Sequence, residues 1–247
     1  ATAGGNVRRN RLSDFTNVMA NGKIAMKLNE GDALVRVRTC TEDDDVALST
    51  KHGKCIRFPV VDVPVFSGRT SIGVRGIRLK KDDEVIAMSI LSHNEIDTET
   101  RDAYLQAEHA QRRLGSSDYE GRDEDKARDT ELAKRMEEPP FMELAENEQF
   151  ILTVTADGYG KRSSSYDFRV SGRGGKGIRA TDVSKLEEIG ELVATFPVAD
   201  GDQIMLVSDG GTLIRVPVDG IRFTSRASKG VRIFNTAKDE KVVSVEH

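Results

Sequence analysis

Asp202-Gln203-Ile204-Met205-Leu206-Val207-Ser208-Asp209-Gly210-Gly211-Thr212-Leu213-Ile214-Arg215 is the stretch whose reading decides the fold. An apolar run ends at Asp-Gly-Gly, whose glycines supply the positive φ of a tight hairpin turn, and a second apolar run leaves the turn. The same script occurs at Thr50-Lys51-His52-Gly53-Lys54-Cys55-Ile56-Arg57 and at Ala156-Asp157-Gly158-Tyr159-Gly160-Lys161-Arg162, and Gly5 precedes Asn6-Val7-Arg8-Arg9. Arg9, Arg57, Arg162 and Arg215 each stand four positions after their glycine.

Working outward, a second glycine follows 17 to 20 residues later and opens a segment of apolar and basic residues. These segments are Gly22-Lys23-Ile24-Ala25-Met26-Lys27-Leu28, Gly73-Val74-Arg75-Gly76-Ile77-Arg78-Leu79, Gly177-Ile178-Arg179 and Gly230-Val231-Arg232-Ile233. An acidic turn and a short strand close each unit: Leu34-Val35-Arg36-Val37, Val85-Ile86-Ala87-Met88, Leu192-Val193-Ala194-Thr195 and Val242-Val243-Ser244-Val245. The first glycines are spaced by 48, 105 and 53 residues, and the 105 falls to a single period once an intervening segment is set aside. A period of about 50 with three or four strands per unit specifies an all-β, propeller-like array of stacked blades. The expected blades cover about 1–45, 46–93, 147–200 and 201–247, with an insertion at about 94–146. The chain opens inside its first unit, which predicts further blades before Ala1.

The insertion differs in kind. Asp97-Thr98 can cap a helix running to about Leu114, and a second runs from about Asp123 to Glu137 before Pro139-Pro140. Its apolar positions are sparse, so it reads as a solvated helical hairpin or partly disordered loop, or else as a partner-docking surface or acidic brake on nucleic-acid binding. Residues 94–148 hold 17 acidic and 8 basic residues, a net charge of −9. The chain of 247 residues carries only −4, so the remainder is basic, with 29 Lys and Arg against 24 Asp and Glu.

Catalysis finds no support. Gly172-Arg173-Gly174-Gly175-Lys176-Gly177 lacks the Ser or Thr and the following helix of a phosphate loop. Ser163-Ser164-Ser165 has no paired His, Asp200-Gly201-Asp202 lacks the other ligands of a calcium loop, and the four histidines have no ligand spacing. Cys40 and Cys55 read as small core residues in a reducing, cytoplasmic setting. No run reaches the roughly 18 apolar residues of a membrane span, and no signal peptide is visible. The cations carry more information. Arg8, Arg9, Arg11, Lys51, Lys54, Arg57, Lys161, Arg162 and Arg215 recur at one phase, and Arg69, Arg75, Arg173, Lys176, Arg226 and Lys229 lie around the later glycines. Repetition would set them into a curved belt for a phosphate backbone. The bland alternative is strand-edge charge that prevents aggregation. Gly174, Gly175 and Gly177 favour the belt, because bare glycines admit a duplex between Arg173 and Lys176. With 5% aromatic residues and no Trp, duplex suits better than stacked single strands.

These residues carry a family resemblance. Thr70-Ser71-Ile72-Gly73-Val74-Arg75-Gly76-Ile77-Arg78-Leu79, Gly158-Tyr159-Gly160-Lys161-Arg162 and the opening stretch 202–213 resemble blades of the C-terminal domain of DNA gyrase A, over nearly everything but the insertion. The family's box of Gln, basic, Arg, Gly, Gly, basic, Gly is matched by Arg173, Gly174, Gly175, Lys176 and Gly177, with Ser171 and Gly172 departing from it. The resemblance implies a β-pinwheel that wraps duplex DNA, with contacts from Arg173 and Lys176. It also implies a place beside the rest of gyrase A and beside gyrase B in an A2B2 enzyme that introduces negative supercoils, whose ATP, Mg2+ and cleaving tyrosine lie outside this segment. On this reading Tyr104, Tyr119, Tyr159 and Tyr166 are not cleaving residues, two lying in the insertion and two in blade turns. The alternatives are the corresponding domain of the related topoisomerase IV and a propeller-like protein-interaction scaffold.

Overall fold

A computed structural model describes residues 1–117 and 119–247. They form two compact units, one of Ala1–His93, Phe150–Ser164 and Phe168–His247, the other of Asn94–Gln149 with Ser165–Asp167.

In chain order the first unit begins with β1 (Asn6–Val7), β2 (Asp44–Thr50), β3 (Lys54–Pro59), β4 (Val74–Arg75) and β5 (Val85–Ser92). The second unit contributes α1 (Thr98–Leu114), α2 (Asp123–Lys134) and α3 (Pro139–Glu146). The first resumes with β6 (Phe150–Thr155), β7 (Tyr159–Ser164), β8 (Ile178–Arg179), the short helix α4 (Leu186–Ile189), β9 (Leu192–Val198), β10 (Gln203–Ser208), β11 (Leu213–Pro217), β12 (Val231–Arg232) and β13 (Val242–Glu246). Four sheets result, ordered β1-β4, β5-β2-β3-β8, β12-β7-β6-β9 and β11-β10-β13. The architecture is the expected β-pinwheel of stacked blades with a helical insertion.

Each outer strand comes from the following repeat. β4 pairs with β1, β8 with β3 and β12 with β7, so the segment after each second glycine leaves its own unit to complete its neighbour's sheet. That glycine is what lets the lent strand come close. Gly177 and Gly230 have φ of 68° and 79°, and a Cβ on either would lie 2.6 Å from the carbonyl oxygen of Cys55 or Gly160 in the receiving strand. No L side chain tolerates both the left-handed φ and that overlap.

Stacking also explains why the strands read as apolar runs. Side chains alternate across a strand, so a sheet sandwiched between neighbours buries both faces. Val46 and Leu48 of β2 join the cluster of Val7, Phe58 and Ile77, whereas Ala47 joins Cys55, Ile151 and Phe168. Leu152 and Val154 of β6 pack instead with Ile204, Leu206, Val218 and Val245.

Two expectations fail in the first repeat. The segments 22–28 and 34–37 form no strand there, though the latter bridges Leu34 to Thr2 and Val35 N donates to Ala1 O at 2.9 Å. In the other repeats the closing strand pairs with one that ends just before the first glycine. Cys55 is buried as expected but Cys40 is exposed.

The second unit is an ordered structure with its own core. Asp97 caps α1 by accepting from the Thr100 amide at 2.9 Å. Tyr104 meets Phe141 and Tyr166 edge-on, with centroids 5.7 and 5.5 Å apart. Tyr166 therefore belongs to this core, where its hydroxyl donates to Leu144 O at 2.9 Å, and the reading of it as a blade-turn residue is corrected. Pro139-Pro140 also starts a helix, because prolines fit the first turn where amides have no intrahelical partner.

Candidate nucleic-acid interface

Three of the cations expected on the belt are internal. Arg57 is 3%, Lys161 1% and Arg162 6% exposed. The Arg57 Nε donates to Asp45 Oδ2 at 2.7 Å and its Nη2 to Ser92 O at 2.8 Å, while His93 Nδ1 lies 2.7 Å from the other Asp45 oxygen. Lys161 Nζ donates to Ser225 O at 3.1 Å, Ser228 O at 2.6 Å and also Arg226 O. Arg162 reaches Ile221 O at 2.8 Å and Asp200 at 2.8 Å, and lies over the Phe223 ring at 3.8 Å. Burial of a charge is tolerated only with this degree of satisfaction, and a side chain so engaged cannot reach a phosphate.

The shared register has a structural cause. Arg9, Arg57 and Arg162 each form a parallel backbone bridge to the next repeat, at Val65, Val170 and Phe223. Arg8, at the position equivalent to Lys161, likewise donates to Ser71 O at 2.9 Å in the loop of the next repeat. Arg9 pairs with Glu42 at 3.3 Å, and the exposed Arg215 bonds the Gln203 side chain. The repeated phase is thus the seam between blades, where every unit must make the same contact.

A different set remains available at the seam between the second and third repeats. Lys54 of β3 pairs in backbone register with Arg179 of the lent strand β8. Lys80 and Arg226 are close enough to act on the same ammonium. Burial first, then the like charges of Lys80, Arg179 and Arg226, hold Lys54 below the ordinary lysine range. Asp83, nearby, acts the other way and offsets part of this crowding of like charge. Arg75, Lys80, Lys176 and Arg179 are exposed, and none forms an ion pair among the described residues. The adjoining groove of about 640 Å³ is lined by His52, Lys54, Lys80 and Arg179, with Asp83, Glu187 and Glu191 also in its wall.

The loop 172–177 lies across the same seam. Gly174 N donates to Gly76 O at 2.6 Å, and Arg78 N to Gly175 O at 2.8 Å. Arg173 bonds Asp62 O at 2.8 Å and Arg75 O at 3.0 Å, while Lys176 is exposed. The three glycines divide in purpose. Gly177 serves strand exchange and Gly174 supplies a left-handed φ of 81°, whereas a Cβ on Gly175 would make only ordinary contact, 3.5 Å from Ile56 Cδ1. Lys229, the counterpart of Lys176 in the last repeat, is paired with Glu188 at 2.6 Å.

The belt read from the sequence included Lys54 but not Lys80 or Arg179, and none of the three stood among its assigned contacts. For Arg179 a usable signal existed in the Val-Arg or Ile-Arg pair that follows Gly73, Gly177 and Gly230, because alternation places its apolar member inward and its arginine outward. Lys80 carried no such signal.

The sequence profile of the DNA gyrase C-terminal domain, a beta-propeller, matches residues 1–41, 44–92, 149–199 and 202–246. The DNA gyrase A protein of Granulibacter bethesdensis is 49% identical over 253 residues, covering 99% of this chain and 27% of that protein. That of Rickettsia conorii is 43% identical over 99% of the chain and 26% of the relative. The chain thus spans about a quarter of the length of these relatives. Among solved structures, a DNA gyrase A C-terminal domain superposes with a TM-score of 0.67 at 22% identity, covering 99% of this chain and 63% of the other. A topoisomerase IV C-terminal domain gives 0.72 at 17% identity, covering 100% and 59%.

Proposed function

Because the chain belongs to the DNA gyrase C-terminal domain family, we propose that it binds duplex DNA through its phosphates and bends it across the blade seams. In this reading it is the wrapping part of DNA gyrase A, acting with the rest of that protein and with gyrase B as an A2B2 enzyme in the bacterial cytoplasm. It would present the enzyme with a DNA crossing of one sign, so that ATP-driven strand passage adds negative supercoils. The chemistry of cleavage, with its ATP and Mg2+, would lie elsewhere in that enzyme, and this domain would contribute geometry alone.

The observation that carries the reading is the cluster of Lys54, Lys80 and Arg179, whose like charges crowd together at one seam beside the Arg226 guanidinium. Exposed Arg75 and Lys176 extend it along the loop 172–177. Main-chain spacing and lysine tips offer no base-edge pattern, so binding should tolerate any sequence. Bending a site costs on the order of 1–6 kcal/mol, which several seams must offset together. A salt titration tests it. Affinity for duplex should fall steeply between low and moderate salt, with a log–log slope of about −0.9 per phosphate contacted. A flat titration would refute phosphate binding.

A further inference from the structure

One contact recurs at every seam. Arg69 Nη1 donates to Ile24 O at 2.8 Å, Arg173 Nη1 to Arg75 O at 3.0 Å and Arg226 Nη1 to Arg179 O at 2.7 Å. The register is strict. Each arginine stands four residues before the second glycine of its own repeat, and each carbonyl two residues after the second glycine of the preceding one.

The topology gives this bond a particular reach. Arg75 is the last residue of β4, which belongs to the second repeat but lies in the sheet of the first. Arg173 comes from the third repeat, so one guanidinium joins three consecutive units. Arg226 does the same, from the fourth repeat to the strand β8 that the third has lent to the second. The lent strands are only two residues long, with two residue pairs each. So short a ladder locates a strand yet leaves rotation about it soft, and a bond from a third unit removes that freedom. Guanidinium suits the task, since its planar fork of donors holds a carbonyl in a fixed direction while the charge stays outside. Arg173 uses the fork fully, with Nε on Asp62 O at 2.8 Å.

We propose that Arg69, Arg173 and Arg226 are latches that set the angle between successive blades, and so the path of a bound duplex, rather than phosphate ligands. They are positioning residues, Arg173 and Arg226 acting through the lent strands β4 and β8 and Arg69 through the Ile24 carbonyl of the first repeat. The inference rests on the DNA-binding reading for its consequence, but the latch itself can be tested without DNA.

The experiment uses the full-length protein carrying Arg69→Ala, Arg173→Ala and Arg226→Ala together, assembled with gyrase B on relaxed circles. Linking change per bound molecule should fall to roughly half or less, while the salt slope stays within about one unit of the unaltered protein's. The set Arg→Gln at the same positions, which loses charge but keeps an N–H donor, should recover most of the linking change. A slope reduced by about 0.9 for each arginine replaced, in both sets alike and with linking change per bound molecule intact, would make them phosphate ligands and overturn the latch. Amide exchange without DNA supplies the independent arm. Exchange over β4 and β8 should quicken by roughly tenfold in the alanine set, as local opening becomes easier. Unchanged exchange there overturns the latch whatever DNA does, whereas failure of the unaltered protein to bind duplex overturns the proposed function and leaves the exchange result to decide the latch.

Discussion

The strand repeats and the helical unit bury their apolar surface by opposite routes, and charge follows the same division. In the repeats the core lies between units: Ala47 and Val46, neighbours in one strand, belong to different clusters. No repeat is complete without the next, so its charged residues at the seam become internal braces. The helical unit closes on itself through Tyr104, Phe141 and Tyr166 and leaves its acidic residues on the outside, at a net of −9 over residues 94–148. Polar burial there is confined to a few pairs, such as Arg113 with Asp129 at 2.7 Å. A seam thus makes charge structural, and a closed core leaves it as surface.

The largest effect should come from breaking a seam brace. Arg57→Ala leaves the Asp45 carboxylate buried, with only His93 beside it, and should cost about 3–5 kcal/mol, spread over the repeats because the seam is shared. Chemical denaturation followed by β circular dichroism measures it. A loss under about 1 kcal/mol would mean that the seam tolerates a bare carboxylate, and the contrast between regions would weaken. Phe141→Ala removes a ring from the helical core and should cost about 3 kcal/mol, confined to that unit. Helical signal should melt earlier while the β transition and duplex affinity hold. A β transition that shifts equally would show one cooperative structure instead of two.

The same contrast accounts for what was legible in the sequence. Paired glycines and two-face apolar runs disclosed the repeat because every unit must meet its neighbour identically. That regularity also misled: Arg57 and Arg162 kept register because the seam needs them, and a repeated cation was read as a ligand. Burial is a property of two repeats together, so no single repeat's text reveals it. Arg179, by contrast, joins Lys54 only once β8 crosses into the neighbouring sheet. The capped start of α1 was local, hence readable at Asp97, whereas the aromatic core was not, since Tyr166 lies 25 residues beyond Phe141 in another segment.

Charge removal at the surface should act on binding and spare folding. Lys54→Ala with Lys80→Ala relieves mutual repulsion, so the repeats should keep or slightly gain stability. Duplex affinity should drop roughly tenfold at moderate salt, with the slope shallower by about two contacts. Arg57→Ala, measured where it remains folded, should leave that slope alone. If the two variants exchange these signatures, seam and surface have been assigned the wrong way round.

The smallest effect is the most selective, and it concerns acid. The Asp129 carboxyl is held at about 2, below its ordinary 3.8, first by the Arg113 hydrogen bonds, with the Tyr119 hydroxyl helping and Arg128 adding charge. A depressed carboxylate favours folding while it is ionised. Its contribution is therefore whole above about pH 4 and disappears as pH falls through about 2. Asp97, also held low by Thr100, acts in the same direction at the start of α1. Helical stability should fade across that window, and Asp129→Asn should flatten the part due to this pair while lowering stability at neutral pH. The mutation touches no seam, so the β transition should follow the same acid profile in both proteins. An Asp129→Asn chain whose helical signal still fades as steeply would show that Arg113 and Asp129 are a surface pair after all, and that the helical unit is held by its aromatic core alone.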